Sequence, residues 1–285
     1  MRQIKFGDIK RDNLQIDELL VDWTIQSNKS CHIVGILGVN LMGFPCRLDI
    51  LRDICSKYQL KLIVDNCEAY GCQLFGKYSL EYADMEITSH YIAHIIQSCE
   101  QGTVSTENKR IKDILKSIRN HGREPDNLYF NHIRYGLNLK PTDLHSSIGL
   151  GQIGDFWKIF NIRKQILSTY RESVQSYEDK FYFIKDESWI NSAPHAFSIT
   201  LREKYANSNI LQHITHGLEQ HGIEWKRNFQ NIPRSTAFSY LNDRQNYRNA
   251  EYVSNYGIHI GCPHLMSNDD INYVCSTLQS IFKTI

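Results

Sequence analysis

Charge of one sign is missing from this sequence: 32 lysines and arginines face 31 aspartates and glutamates, a net charge of +1. With no excess of either sign, nothing draws the chain to phosphate backbones or anionic lipid, so no nucleic-acid or membrane partner is expected. Long apolar runs are missing too. None approaches the roughly 20 residues of a membrane span, and Met1-Arg2-Gln3-Ile4-Lys5 leads into no signal-peptide core, so a cytoplasmic protein is expected. The eight cysteines, at 31, 46, 55, 67, 72, 99, 262 and 275, lack the short paired spacings of a zinc ribbon or disulfide scaffold. Reduced, packed thiols are the expectation, Cys31 and Cys275 among them. No internal repeat, low-complexity tract or long linker interrupts the chain. Lysine is absent between Lys77 and Lys109.

What is there is enough chain, 285 residues, for one large core and a smaller appended domain. An apolar run at 31–38, a helical repeat at 47–58 and a second run at 61–64 read as a βαβ unit. Further strands are predicted at 85–89 and 103–106, then a helix over 107–119 closed by Gly122. Strands alternating with helices imply an α/β fold with a mainly parallel sheet covered on both faces. Pro141 suits a first helical turn, and the apolar spacing from Leu144 to Ile166 predicts a long, bent helical stretch reaching about residue 177. Beyond it come a strand at 195–201, a helix at 208–221 ended by Gly222, a strand at 256–260 and a last helix opened by Ser267 with Asp270. The expected division is a large α/β domain over 1–140, a connecting helical segment over 141–178 and a small α+β domain over 179–285.

In open α/β sheets ligands bind beyond the carboxyl ends of the strands, which draws attention to Asp65 after Leu62-Ile63-Val64 and to His90 and His94 after Ile87-Thr88-Ser89. A carboxylate there can hold a protonated ring nitrogen, and an imidazole can move a proton at neutral pH. From spacing alone, a cap for Asp65 and a packed or solvated histidine at 94 are the plainer account. A metal site of His90 and His94 with Cys99 or Cys67 is a weaker alternative, because no H-E-x-x-H glutamate accompanies the pair.

The wording of residues 61–106 resembles the central segment of the DegT/DnrJ/EryC1/StrS sugar aminotransferases, which have the fold type I of enzymes that use pyridoxal phosphate. The resemblance continues through RNHG at 119–122, GLNLKPTDLHSSIGLGQI at 136–153 and IGCP at 260–263. It implies that Asp65 pairs with the cofactor's pyridine nitrogen, that Ser89 is the serine of S-F-x-x-x-K, and that His94 stands where that motif has its Schiff-base lysine. Glu68 in DNCEAYG and Asn138, the counterpart of a phosphate contact made across the family's dimer interface, join the implied cofactor site.

DNCEAYG at 65–71 and SHYIAH at 89–94 look like the branch of 3-dehydratases that act on nucleotide-linked 4-keto-6-deoxyhexoses. Histidine cannot make the covalent cofactor link that lysine makes, and can only shuttle protons. The resemblance therefore implies 3-deoxygenation of a sugar nucleotide with pyridoxamine phosphate, glutamate as amino donor, and His94 as the proton-moving residue, in deoxysugar synthesis for surface polysaccharide. Residues 119–135 contain no cysteine, so the iron–sulfur cluster of one relative is not expected, and neither is another metal. Lys226 and Arg227 fall where relatives contact substrate; solvated surface is the plainer account of both.

Two departures keep a second reading open. Residues 5–17 look like a segment that the family reaches only after its phosphate-binding S-G-T-x-A turn, so the large domain is expected to lack its N-terminal part. The family's G-E-G-G is here Cys99-Glu100-Gln101-Gly102, which is expected to narrow or redirect the pocket. The alternative is a truncated, catalytically silent member of the fold, or a subunit that needs a partner such as a complete paralogue, against the homodimer that the family implies. His121, His132, Arg119 and Arg123 are lesser candidates.

Overall fold

The computed structural model describes residues 4–28, 32–125, 130–241 and 245–285; Cys31 lies outside them. Helix α1 (Glu18–Ser27) is capped by the Asp17 carboxylate, which accepts from the amides of Leu19 and Leu20. It precedes the βαβ unit that the apolar runs predict: β1 (Gly35–Val39), α2 (Leu48–Tyr58) and β2 (Lys61–Asp65). Leu48, Leu51, Ile54 and Cys55 form the buried stripe of α2, and Leu62 and Val64 the buried face of β2. Gly38 on β1 lets α2 come close, since a Cβ there would lie 3.1 Å from Leu51 Cδ1 and 3.2 Å from Cys46 Sγ.

A small hairpin, β3 (Gln73–Leu74) and β4 (Lys77–Tyr78), leads to β5 (Met85–Ser89) and β6 (Gly102–Ser105). The main sheet has the order β1-β2-β5-β6, with the first three strands parallel. β6 runs antiparallel to β5, pairing Ser89 with Gly102; direction is the part of the expectation that the residues alone did not carry. Asp65, the last residue of β2, lies opposite Val39 on one side and Ile87 on the other, so the carboxyl ends of three strands open on one edge.

Helix α3 (Lys109–Arg119) ends at Asn120, and His121 and Gly122 then both take positive φ. The long helical stretch is bent as predicted: α4 (Asp143–Gln152), one 3₁₀ turn, and α5 (Phe156–Val174). Thr142, after Pro141, caps α4 by accepting from His145 N. Downstream, β7 (Phe181–Tyr182), β8 (Ile190–Asn191), β9 (Ala196–Leu201), α6 (Ser208–Gln220), β10 (Trp225–Arg227), α7 (Arg248–Tyr256), β11 (Gly257–Gly261) and α8 (Asn268–Lys283) follow. Here the antiparallel sheet has the order β10-β11-β9-β7. β9 is buried at every position and shares a core with Ile166, Tyr170 and Val174 of α5 and Leu278 and Phe282 of α8. The predicted capping box opens α8: Ser267 accepts from Asp270 N, and the Asp270 carboxylate accepts from Ser267 N.

A smaller cluster of Ala69, Cys72, Ile95, Ile159, Phe160 and Ala193 joins the loop after β2, the turn after β5 and α5. It is the apolar floor under the candidate site.

Candidate functional site

The turn after β2 is tied down from below. Asn40, fully buried, donates to Asn66 Oδ1 at 2.8 Å and Ser79 Oγ at 3.0 Å and accepts from Cys46 N at 2.9 Å. All sides of this amide are satisfied, which fixes the loop after β1 against the loop after β2. Asp65 Oδ1 accepts from Cys67 N at 3.0 Å, an Asx turn at the strand end. Burial and the Asp65 carboxylate push the Cys67 thiol up to about 12, so it is no nucleophile at neutral pH. Glu68 turns back towards the β1 loop, and its Oε2 accepts from Met42 N at 2.9 Å. Burial raises the Glu68 carboxyl above its ordinary range, opposed by that amide and by His94.

His94 sits in a turn rather than a helix, with its amide bonded to Tyr91 O at 3.0 Å. Four apart in such a turn, His90 and His94 do not share a helix face, and among the described residues no group of three or more His, Cys, Asp or Glu side chains could hold a metal ion. The turn is pinned at both ends: Ser98 N donates to His90 O at 2.8 Å, Gln97 N to Gln152 Oε1 at 2.9 Å, and Ser98 Oγ to His145 O at 2.7 Å. Cys99, where glycine is expected, takes φ 55°, so the backbone keeps a path that glycine would follow without strain.

The His94 ring packs beside that of His195, centroids 5.3 Å apart and planes at 38°. His195 Nε2 in turn is 3.8 Å from Glu68 Oε1. Burial, then the neighbouring His195 and Arg163, lowers His94 to about 4, against the opposing pull of Glu68. Burial, Arg163 and Lys226 lower His195 to about 4 as well. Both imidazoles are therefore uncharged at neutral pH, and Nδ1 of His94 is buried without a hydrogen-bond partner. Such a ring accepts a proton rather than supplying one.

The structure thus brings Asp65, Glu68 and His94 together and adds His195, which motif reading passed over. Ser89, at the end of β5, accepts from Tyr91 N at 3.2 Å and so opens the His94 turn. Lys226 acts on His195 and His259 from β10, whereas Arg227, on the opposite face of that strand, donates to Asn255 O at 3.0 Å and lines a separate cavity of about 410 Å³ with Ser208, Leu211 and Tyr256. Arg227 is not part of the cluster. Asn138 is exposed and accepts from Lys140 Nζ at 2.5 Å; it shares no contact with Asp65 or His94. His121 and His132 face each other on the same exposed loop, His132 Nδ1 lying 3.0 Å from His121 O.

The sequence profile of the DegT/DnrJ/EryC1/StrS aminotransferase family matches residues 3–279. The GDP-4-keto-6-deoxy-D-mannose 3-dehydratase of Escherichia coli O55:H7 is 26% identical over 306 aligned residues, covering 97% of this chain and 74% of that protein. Among solved structures, Helicobacter pylori PseC, an aminotransferase of pseudoaminic acid biosynthesis, superimposes with a TM-score of 0.89 at 20% identity, over 99% of this chain and 74% of that one. E. coli GDP-4-keto-6-deoxy-D-mannose-3-dehydratase with bound hydrated PLP gives 0.85 at 23% identity, over 97% and 74%.

Proposed function

The chain belongs to the DegT/DnrJ/EryC1/StrS aminotransferase family, and we propose that within it the chain is a pyridoxamine-phosphate-dependent 3-dehydratase of a nucleotide-linked 4-keto-6-deoxyhexose, not an aminotransferase. The observation that carries this reading is His94: at the position where the resemblance expects lysine stands an uncharged, partly buried imidazole with a free ring nitrogen. Both a dehydratase and an aminotransferase occur among the relatives, and lysine at that position is what would separate them.

The residues present suit the cofactor. Asp65, at the open end of β2, would hold the proton of the pyridine nitrogen; Glu68 and Ser89 border the same space, and Asn138 would reach a phosphate only from a second subunit. When bound, pyridoxamine phosphate supplies an amino group for a sugar carbonyl and a ring that accepts electrons. His94 would take onto its free nitrogen a proton from the cofactor's amine-bearing carbon, and the C3 hydroxyl would leave with that proton as water. His195, uncharged at neutral pH, adds no charge to oppose that transfer, and the Glu68 carboxyl favours it by raising the proton affinity of the His94 ring. Lys226, an exposed cation whose charge acts on His195, would meet the substrate's phosphates.

Incubating the purified protein with pyridoxal phosphate and glutamate should move its absorbance to that of the pyridoxamine form. Failure to retain any cofactor defeats the reading.

A second reading is a silent subunit that needs a partner. Its support is apolar surface at the sheet edge: Leu37 and Val39 on β1 are open. Co-expression with a complete paralogue should then give a mixed complex. Turnover of a sugar nucleotide by the isolated chain excludes this reading.

A further inference from the structure

Helix α5 carries a cation in the middle of its apolar stripe. Ile159, Phe160, Ile166, Leu167, Tyr170 and Val174 are buried, and so is Arg163, at 4% exposure. Among the described residues it makes no ion pair. Its Nη1 donates to Ala93 O at 3.0 Å and its Nη2 to His94 O at 3.3 Å, across some seventy residues of sequence. Nε is buried without a partner. Burying an ionised guanidinium without a carboxylate is costly, so packing alone does not account for it. A planar fork gripping two successive carbonyls does what no apolar side chain can: it fixes the backbone of the turn at the residue that carries the imidazole.

We propose that Arg163 is the positioning residue for His94, its fork locking the Ala93–His94 carbonyls so that the imidazole is presented to the cleft. The same uncompensated charge opposes protonation of the ring. Facing His94 are His195, Glu68, His90 and the ring of Tyr91, besides Arg163. Around Arg163 itself lie Cys262 and the histidines 195 and 264, with Lys226 acting on His195 from the far side. Of the groups that face His94, Arg163 alone carries a fixed positive charge. That His94 moves a proton in catalysis is the reading above, and the inference rests on it for its consequence, not for its geometry.

The test uses the whole chain without cofactor. Histidine Cε1–H resonances are titrated by NMR, His94 being identified by the signal missing in H94Q. In the unmodified protein His94 should titrate near 4. In R163M its midpoint should rise by about one unit, and in R163K, which keeps the cation, it should return towards the original value. If R163M does not fold, R163Q, which loses the charge but keeps a donor, should show the same rise. An unchanged midpoint in a folded R163M or R163Q, or a high midpoint in R163K, overturns the proposal. Cofactor retention is measured separately, so its failure would count against the dehydratase reading and leave the titration result standing.

Discussion

His195 Nε2 stands 3.8 Å from Glu68 Oε1, with the two side chains 16% and 20% exposed. At that distance an ion pair is the first expectation. Burial instead pushes the carboxyl up and lowers the imidazole to about 4, so His195 is uncharged at neutral pH and the contact is no ion pair there.

Stability should therefore fall with acid over a window set by the histidines. His195 binds its proton near 4 when folded and near the ordinary histidine value when unfolded, so the unfolded state holds more protons between about pH 6.5 and 4. The contribution is complete above the upper value and is lost as pH falls through the lower one, up to about 3 kcal/mol for so buried a ring. Denaturant melts at pH 7 and pH 4.5 should show H195N losing less stability on acidification than the unmodified chain. Equal losses contradict the assignment.

Gly71 ends the DNCEAYG motif with φ +93°, and a Cβ there would come within 2.6 Å of Phe156 Cζ. Gly71→Ala should cost about 1–3 kcal/mol, whereas Gly76→Ala, at φ +74° but in open space, should cost less. Thermal melts of the two variants compare the contact directly.

Asp65→Asn should leave the fold intact and weaken cofactor retention by about tenfold or more, the worth of one charge-assisted hydrogen bond. Equilibrium dialysis against pyridoxal phosphate, with circular dichroism to check folding, measures this. Undiminished retention removes Asp65 from the site.

The exposed face of α4 is proposed as the homodimer surface. Leu144 and Leu150 open to solvent on a ten-residue helix are unusual for a monomer. Sedimentation should find a dimer for the unmodified chain and monomer for L144K/L150K. A monomer in both cases rejects it.

Much of the fold was legible because its strongest elements announce themselves: the KLIV run of β2, the helical repeat of α2, the Ser267–Asp270 box of α8. Asp65 and His94 were found by their place after apolar runs and by motif. What was not legible depended on tertiary contact. The antiparallel direction of β6 leaves no mark in its residues, and β10, Trp225-Lys226-Arg227, reads as charged loop because it is an edge strand with exposed side chains. His195 and Arg163 lie about a hundred and about seventy residues, respectively, from the motif they serve. One signal for Arg163 was present: an arginine at a position of α5 where the 3.6-residue period calls for an apolar side chain.

The central claim is that a cofactor is held beside His94 without a covalent lysine. The measurement that tests it most directly is borohydride reduction of the protein loaded with pyridoxal phosphate, followed by peptide mapping. The account predicts retained cofactor with no pyridoxyl adduct on any lysine of the site. A stoichiometric adduct, above all on Lys226, would contradict it.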